Sequence, residues 1–420
     1  MDNFNYRDGV LHAEDVPLTE IAEAVGTPVY VYSRATLTRH ARVFRDALSA
    51  VLPKLHIAYA MKANPNLAVL KVLAAEGYGA DIVSGGELER ARAAGIPAAD
   101  VVFSGVGKDA RELARGVEVG IGQFNLESEE EGVELGRIAA GLGKRAVCAL
   151  RVNPDVDAKT HAKISTGKSD NKFGVAYHEA AGIYARLSAL EGLEMRGLAV
   201  HIGSQISDLV PSRVAFGKMG ELMRTLRAQG YSVTHMDLGG GLGVPYKADD
   251  QLPSPADYAA MVAEATQGWD ATIMFEPGRV IAGNSGVMIT RVIRVKKGVT
   301  APFVVIDAAM NDLARPALYD SWHDFLAVKP CGERMTANIV GPICESSDTF
   351  AMNRDIDAVA AGDLAVFRTA GAYGATMANT YNSRPLVPEV MVDGDKWAVV
   401  AQRVEPSAIL AAESVPDWLE

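Results

Sequence analysis

A (β/α)8 barrel followed by an all-β domain is the architecture this sequence predicts, and three observations predict it. From about residue 56, short apolar runs alternate with longer helical patterns, which marks repeated βα units on a parallel sheet. Eight such runs occupy roughly 220 residues, the count and span of a closed barrel. After Pro277 the texture changes to alternating and β-branched runs with turn signals such as Asp393-Gly394, which read as strands and hairpins.

The elements follow in chain order. Residues 1–32 precede the first barrel helix and are expected to pack on the β-domain, because both chain ends must leave the barrel. The barrel is expected over 33–277. Its strands are read at His56–Met61, Gly79–Val83, Val101–Ser104, Gly122–Leu126, Ala146–Val152, Leu198–Ile202, Val233–Leu238 and Thr272–Phe275. Ser84-Gly-Gly-Glu87 and Ser128-Glu-Glu-Glu131 each set a hydroxyl and a glutamate at capping-box spacing before a helical run. Residues 153–174 are polar, rich in Lys and turn formers, and too long for an ordinary connection. They read as a functional loop over the barrel mouth. The β-domain, expected over 278–420, is carried by VMITRVIRVKKG, FVVIDAAM, DLAVFRTAG and LVPEVMVDGDKWAVVAQR.

Bulk properties narrow the functions available. A chain of 420 residues exceeds what one hydrophobic core usually supports, which favours two domains. With 52 acidic against 41 basic residues the net charge is −11, so a nucleic-acid or anionic-membrane surface is not expected, although a local anion pocket is allowed. Cys148, Cys331 and Cys344 lie far apart without metal-ligand spacing, so neither a disulfide framework nor a metal is expected. A reducing cytoplasm fits. No signal peptide and no membrane-spanning apolar run is read.

In such a barrel the chemistry lies at the C-terminal ends of the strands. Lys62 ends the first run in Tyr59-Ala-Met-Lys62-Ala-Asn64, where its amine sits in the barrel mouth or snorkels to the surface. The seventh ends in Asp237-Leu-Gly-Gly-Gly241 and the eighth in Glu276-Pro-Gly-Arg279. Glycines there let backbone N–H groups approach a phosphate, the usual place for one on this fold. A carboxylate beside a phosphate pocket needs another cationic partner, and a protonated pyridine nitrogen suits Glu276; the alternative is a simple ion pair with Arg279. The sixth run ends in His201-Ile-Gly-Ser204, where the imidazole either stacks on an aromatic cofactor or is a core residue, and Ser204 is placed to donate to phosphate. Asp81, ending the second run, either orients His201 or caps a turn. Locally, Cys344 in Gly341-Pro-Ile-Cys344-Glu345-Ser-Ser-Asp348 reads as a buried structural thiol, and zinc is not expected there.

Taken together, YAMKAN, GADIVSGGEL, HIGSQ, the glycine run at 239–241, EPGR, GPICESSD and GAYG resemble, in order and spacing over essentially the whole chain, the fold-type III pyridoxal-phosphate decarboxylases. These form the class-II family of ornithine, lysine and arginine decarboxylases, with an alanine-racemase-like barrel. The resemblance is to the branch acting on meso-2,6-diaminopimelate, which implies release of L-lysine and CO2 at the end of lysine biosynthesis. It implies that Lys62 holds pyridoxal 5'-phosphate as a Schiff base, that His201 stacks on the ring with Asp81 nearby, and that Glu276 meets the pyridine nitrogen. Ser204, Gly240, Gly241, Pro277, Gly278 and Arg279 take the phosphate side. Cys344 is implied as proton donor. Arg279, Arg315 and Tyr319 are implied at the distal carboxylate, Glu345 at the distal ammonium, and Tyr373 at both cofactor and substrate. Because Cys344 and Glu345 reach the other subunit's site in this family, a cytoplasmic homodimer with shared active sites is implied.

Overall fold

Residues 2–157, 167 and 171–419 are described by a computed structural model, and they form two compact units. One comprises residues 38–245 and 250–281; the other comprises residues 1–37, 246–249 and 282–420. Most of the loop expected over the barrel mouth, residues 158–166 and 168–170, lies outside the described residues.

The first unit is a closed barrel. Its strands are Leu55–Ala60, Gly79–Ile82, Val101–Phe103, Gln123–Leu126, Ala146–Asn153, Leu193–Ala199, His235–Asp237 and Thr272–Phe275. Each pairs in parallel with the next, and the eighth returns to the first through Met274 opposite His56. Strands covered on both faces are expected to be apolar throughout, and GADI, VVF and QFNL are buried at every position. The helices between them carry explicit start signals. Ser84 and Ser128 accept from the N–H of Glu87 and Glu131, both at 3.2 Å. Each glutamate returns one residue further back than a capping box would, to Val83 N–H (2.7 Å) and Glu127 N–H (3.0 Å). Full boxes stand instead at Asp109/Glu112 and Ser254/Asp257.

The sixth strand differs from its sequence reading, beginning at Leu193 rather than Leu198 and ending at Ala199. Glu194, Met195 and Arg196 break the apolar run and are only half-buried. The register also slips between Met195 and Gly197, so no period-2 pattern could announce this half.

The second unit is mostly β. Its sheet runs Thr349–Asp357, Arg334–Val340, Phe303–Ile306, Gly286–Lys296, Val29–Ser33, Glu389–Asp393, Lys396–Ala401. Val29–Ser33, sequence VYVYS, is wholly buried. It runs antiparallel to Gly286–Lys296 and parallel to Glu389–Asp393. Val29 and Val31 share a core with Leu11, Ile21, Ile289 and Val390. No described helix is long and apolar enough to cross a membrane.

Candidate active site

The first strand delivers Lys62. HIAYA is a β-forming apolar run, and the chain then tightens into the 3-10 turn Met61–Ala63 before Asn66, whose side chain accepts from Ala68 N–H and caps the helix Leu67–Ala75. Lys62 is thus held between a strand and a capped helix. Its Nζ lies 2.8 Å from Oδ2 of Asp81 on the second strand. Asp81 is fully buried while the Lys62 side chain keeps 41% exposure. A carboxylate that cannot reach water is tolerable only when paired, and Oδ1 of Asp81 has no hydrogen-bond partner among the described residues. The expectation that Asp81 orients His201 or caps a turn is therefore corrected: its hydrogen bond goes to Lys62.

Opposite this pair stands a polar cluster that the sequence reading missed in part. Glu276 Oε1 accepts from Ser104 Oγ (3.2 Å) and Asn125 Nδ2 (3.1 Å). The same amide donates to Asp237 Oδ2 at 2.9 Å, and Gln123 Nε2 holds its oxygen at 2.8 Å. Burial, and then the neighbouring Asp237 and Asp81 charges, push Glu276 well above the carboxylate range. Burial also raises Asp237. These partners replace the ion pair with Arg279 that was the alternative for Glu276. Just outside, burial pushes Glu87 up to about 7 against the opposing hydrogen bond from Val83.

The glycine turn closes the ring of strand ends. Gly241 has φ +109°, a conformation that glycine alone adopts without strain, and a Cβ on Gly240 would lie 2.2 Å from the Glu276 carbonyl oxygen. The Glu276-Pro277-Gly278 segment is pinned in turn, since Ala60 N–H donates to Pro277 O at 3.0 Å and Gly278 packs against Ala60 and Ala63. Arg279, only 6% exposed, donates to Ser204 Oγ through Nε (3.3 Å) and Nη2 (3.0 Å). His201 Nδ1 accepts from Gly240 N–H at 3.2 Å. Burial, followed by the Arg151 and Lys62 charges, pushes this imidazole well below its usual value, so it is neutral. The barrel rim thus combines an anion cradle, an amine and a buried acidic face.

The second unit carries the other five expected residues. Arg315 opens the short helix Arg315–Tyr319 and is buried. Cys344 and Glu345 lie in a loop folded around Asp348, whose carboxylate accepts from Met310 N–H and Ile343 N–H, both at 2.7 Å. A side chain on Gly341 would strike that carboxylate, which explains the glycine. Cys344 is exposed, not the buried thiol that its local sequence suggested. Glu345 accepts from Ser347 and from Tyr381 Oη (2.9 Å), and these bonds hold it below the usual carboxylate range, as a charged group. It borders a cavity of about 270 Å³ with Met310, Leu318 and Tyr381. Tyr373 takes φ +55°, strained for a side chain of its size.

Comparison with known proteins places this geometry. Residues 34–283 match the family model described as pyridoxal-dependent decarboxylase, pyridoxal binding domain. The chain is 50% identical over 418 residues to a diaminopimelate decarboxylase of Zymomonas mobilis, covering 99% of each, and 49% identical to one of Vibrio cholerae with the same coverage. Among solved structures, the diaminopimelate decarboxylase of M. jannaschii in co-complex with L-lysine matches with a TM-score of 0.96 at 34% identity, covering 100% of this chain and 99% of that one. That of Helicobacter pylori complexed with L-lysine matches with a TM-score of 0.90 at 39% identity, covering 94% and 98%.

Proposed function

The chain belongs to the pyridoxal-dependent decarboxylase family, and on that premise we propose that it removes one carboxyl group from meso-2,6-diaminopimelate, releasing CO2 and L-lysine as the last step of lysine biosynthesis. The observation that carries this substrate is the nearly end-to-end match, at about half identity, to diaminopimelate decarboxylases.

The barrel rim fits pyridoxal 5'-phosphate. Part-buried Glu276 and buried Asp237 stand together with the neutral partners Ser104 and Asn125, an acidic face on which a cationic ring nitrogen would be held in a hydrogen bond worth about 1.5–3 kcal/mol. The Gly240–Gly241 turn admits no Cβ, which keeps backbone N–H groups within reach of a phosphate. Lys62, Asp81, His201, Ser204, Gly240, Gly241, Glu276, Pro277, Gly278, Arg279 and Tyr373 would hold the cofactor. Bound there, pyridoxal phosphate supplies an electron sink for the pair left on the α-carbon when CO2 departs.

The chain's own residues do the rest. Asp81 fixes Lys62 Nζ and balances its charge. Neutral His201 presents a flat face without adding a cation that would compete for Glu276. Arg279, Arg315 and Tyr319 bind the distal carboxylate, and the charged Glu345 meets the distal ammonium. Cys344 Sγ delivers the proton that replaces the lost carboxyl group. Cys344 and Glu345 serve the site of a second copy, so the working unit is a homodimer with shared sites. The free cysteines accord with a place in the cytoplasm.

Purified protein with pyridoxal phosphate is offered meso-diaminopimelate, ornithine, arginine and lysine in turn. CO2 evolves from diaminopimelate, and substrates without the distal carboxylate lag by roughly 10⁴, because they make no contact between that group and the buried Arg279 and Arg315. Release from ornithine but not from diaminopimelate would overturn the substrate.

A further inference from the structure

Arg315 is only 5% exposed, and its guanidinium is fixed on three sides within the β unit. Nη2 donates to Ser321 Oγ at 3.2 Å, Nη1 lies 3.0 Å from Nε2 of His323, and the guanidinium carbon sits 4.8 Å from the centre of the Tyr246 ring. Tyr246 in turn meets His323 edge to face at 5.4 Å. Ser321 and His323 are uncharged acceptors here, which set the plane of the guanidinium.

The hydrogen-bond chemistry of His323 admits one form. Its Nδ1 lies 2.8 Å from the carbonyl oxygen of Arg368, and a carbonyl only accepts, so Nδ1 carries the proton. Arginine only donates, so Nε2 must present a lone pair. The imidazole is 1% exposed, and protonating Nε2 would set a second cation against Arg315. The segment is braced from behind as well. Arg354 donates to His323 O at 2.6 Å and lies 3.6 Å over the Trp322 ring, while Lys247 lies 4.5 Å from the same ring and Trp322 Nε1 donates to Asp324 at 2.7 Å.

We propose that His323 is a positioning residue for the distal carboxylate: its Nδ1–H tautomer aims the Arg315 guanidinium, and so sets affinity for amino acids carrying that group. This rests on the reading of Arg315 as a carboxylate clamp and adds a consequence. Decarboxylation removes the carboxyl group at the other end of the substrate, so the product L-lysine keeps the one that Arg315 binds. Substrate and product affinity must therefore move together when His323 is changed.

The test compares His323→Asn with His323→Gln in the pyridoxal-phosphate-loaded enzyme. Asparagine keeps a donor near Nδ1 and loses the acceptor for Arg315, whereas glutamine keeps an acceptor near Nε2. Losing an acceptor on a buried charged donor costs enough to predict a rise of roughly 10- to 100-fold in KM for meso-diaminopimelate and in the L-lysine inhibition constant alike. Little change in kcat is expected, since ground-state and transition-state binding weaken equally. His323→Gln recovers most of both. Unchanged KM and inhibition constant in His323→Asn, or a fall in kcat and cofactor affinity with KM intact, overturns the proposal. If His323→Asn does not fold, Ser321→Ala removes the other acceptor and carries the same test, with a paired rise of a few-fold expected and no rise overturning it. Failure of the parent enzyme to act on diaminopimelate would instead refute the substrate assignment.

Discussion

Adding one methyl group at Gly240 tests the phosphate turn directly. In Gly240→Ala the new carbon would lie 2.2 Å from the Glu276 carbonyl oxygen and 2.9 Å from its carbon, roughly an ångström closer than carbon and oxygen tolerate. The obstructing atoms are backbone, and that backbone is tied down through Pro277 O and the packing of Gly278. Either the glycine turn or the Glu276–Arg279 segment must therefore move by about an ångström. Overpacking of this kind costs about 1–3 kcal/mol of stability, and a shift of that size in a positioning element costs about 10²-fold in rate. Titration of the apo protein with pyridoxal phosphate, followed by the change in cofactor absorbance, should show a Kd at least roughly tenfold weaker. The control is Gly217→Ala in the helix Val210–Ala228, where a Cβ meets nothing within 4 Å and alanine should stabilise by about 1 kcal/mol. Parental cofactor affinity in Gly240→Ala would refute the assignment of this turn to the phosphate.

Three further outcomes are expected. Borohydride reduction of the cofactor-loaded protein should fix the cofactor's mass on the peptide containing Lys62, read by mass spectrometry, and Lys62→Ala should abolish it; an adduct on another lysine means the wrong anchor. Asp348→Ala leaves the Met310 and Ile343 N–H groups without their acceptor, which should cost about 3 kcal/mol or more and slow turnover through the Cys344 loop; a parental melting temperature and rate would count against that loop's role. For Glu87, pushed up to about 7 by burial, the folded chain keeps a proton that the unfolded chain has released, so this residue's contribution to stability falls as pH rises from the ordinary carboxylate range toward 7. The melting temperature of Glu87→Gln relative to the parent should therefore climb between about pH 5 and about pH 7, and parallel curves would refute the shift.

The barrel was legible because strands covered on both faces must be apolar, and runs such as AVCALRV announce themselves. The cationic and glycine parts of the site were legible for a related reason: Lys62, the 239–241 turn and Glu276 each interrupt an apolar strand at its end, where polarity has no structural use. Asn125 escaped notice and Asp237 was read without a role of its own, because each sits within a run otherwise read as core. What makes them functional is closure of the ring, which brings residues 104, 125, 237 and 276 together. No local pattern encodes that. His323 was silent likewise, since one histidine in SWHDF carries no mark of the carbonyl and guanidinium that fix its tautomer. The start of the sixth strand was lost to Glu194 and Arg196, charged residues on a half-buried stretch.

The central place of Val29–Ser33 in the β sheet acquires a meaning during ribosomal synthesis. The segment is made about 250 residues before Gly286–Lys296 and about 350 before Glu389–Asp393. At about 5–20 residues per second its two ladders wait roughly 10–70 s for their partners. Meanwhile the eight barrel strands, consecutive in the chain, can close behind it. For that interval a five-residue apolar strand stands with both edges open, the exposed form most prone to wrong pairing. The strand that sheds its hazard last is thus the first of its sheet to be translated.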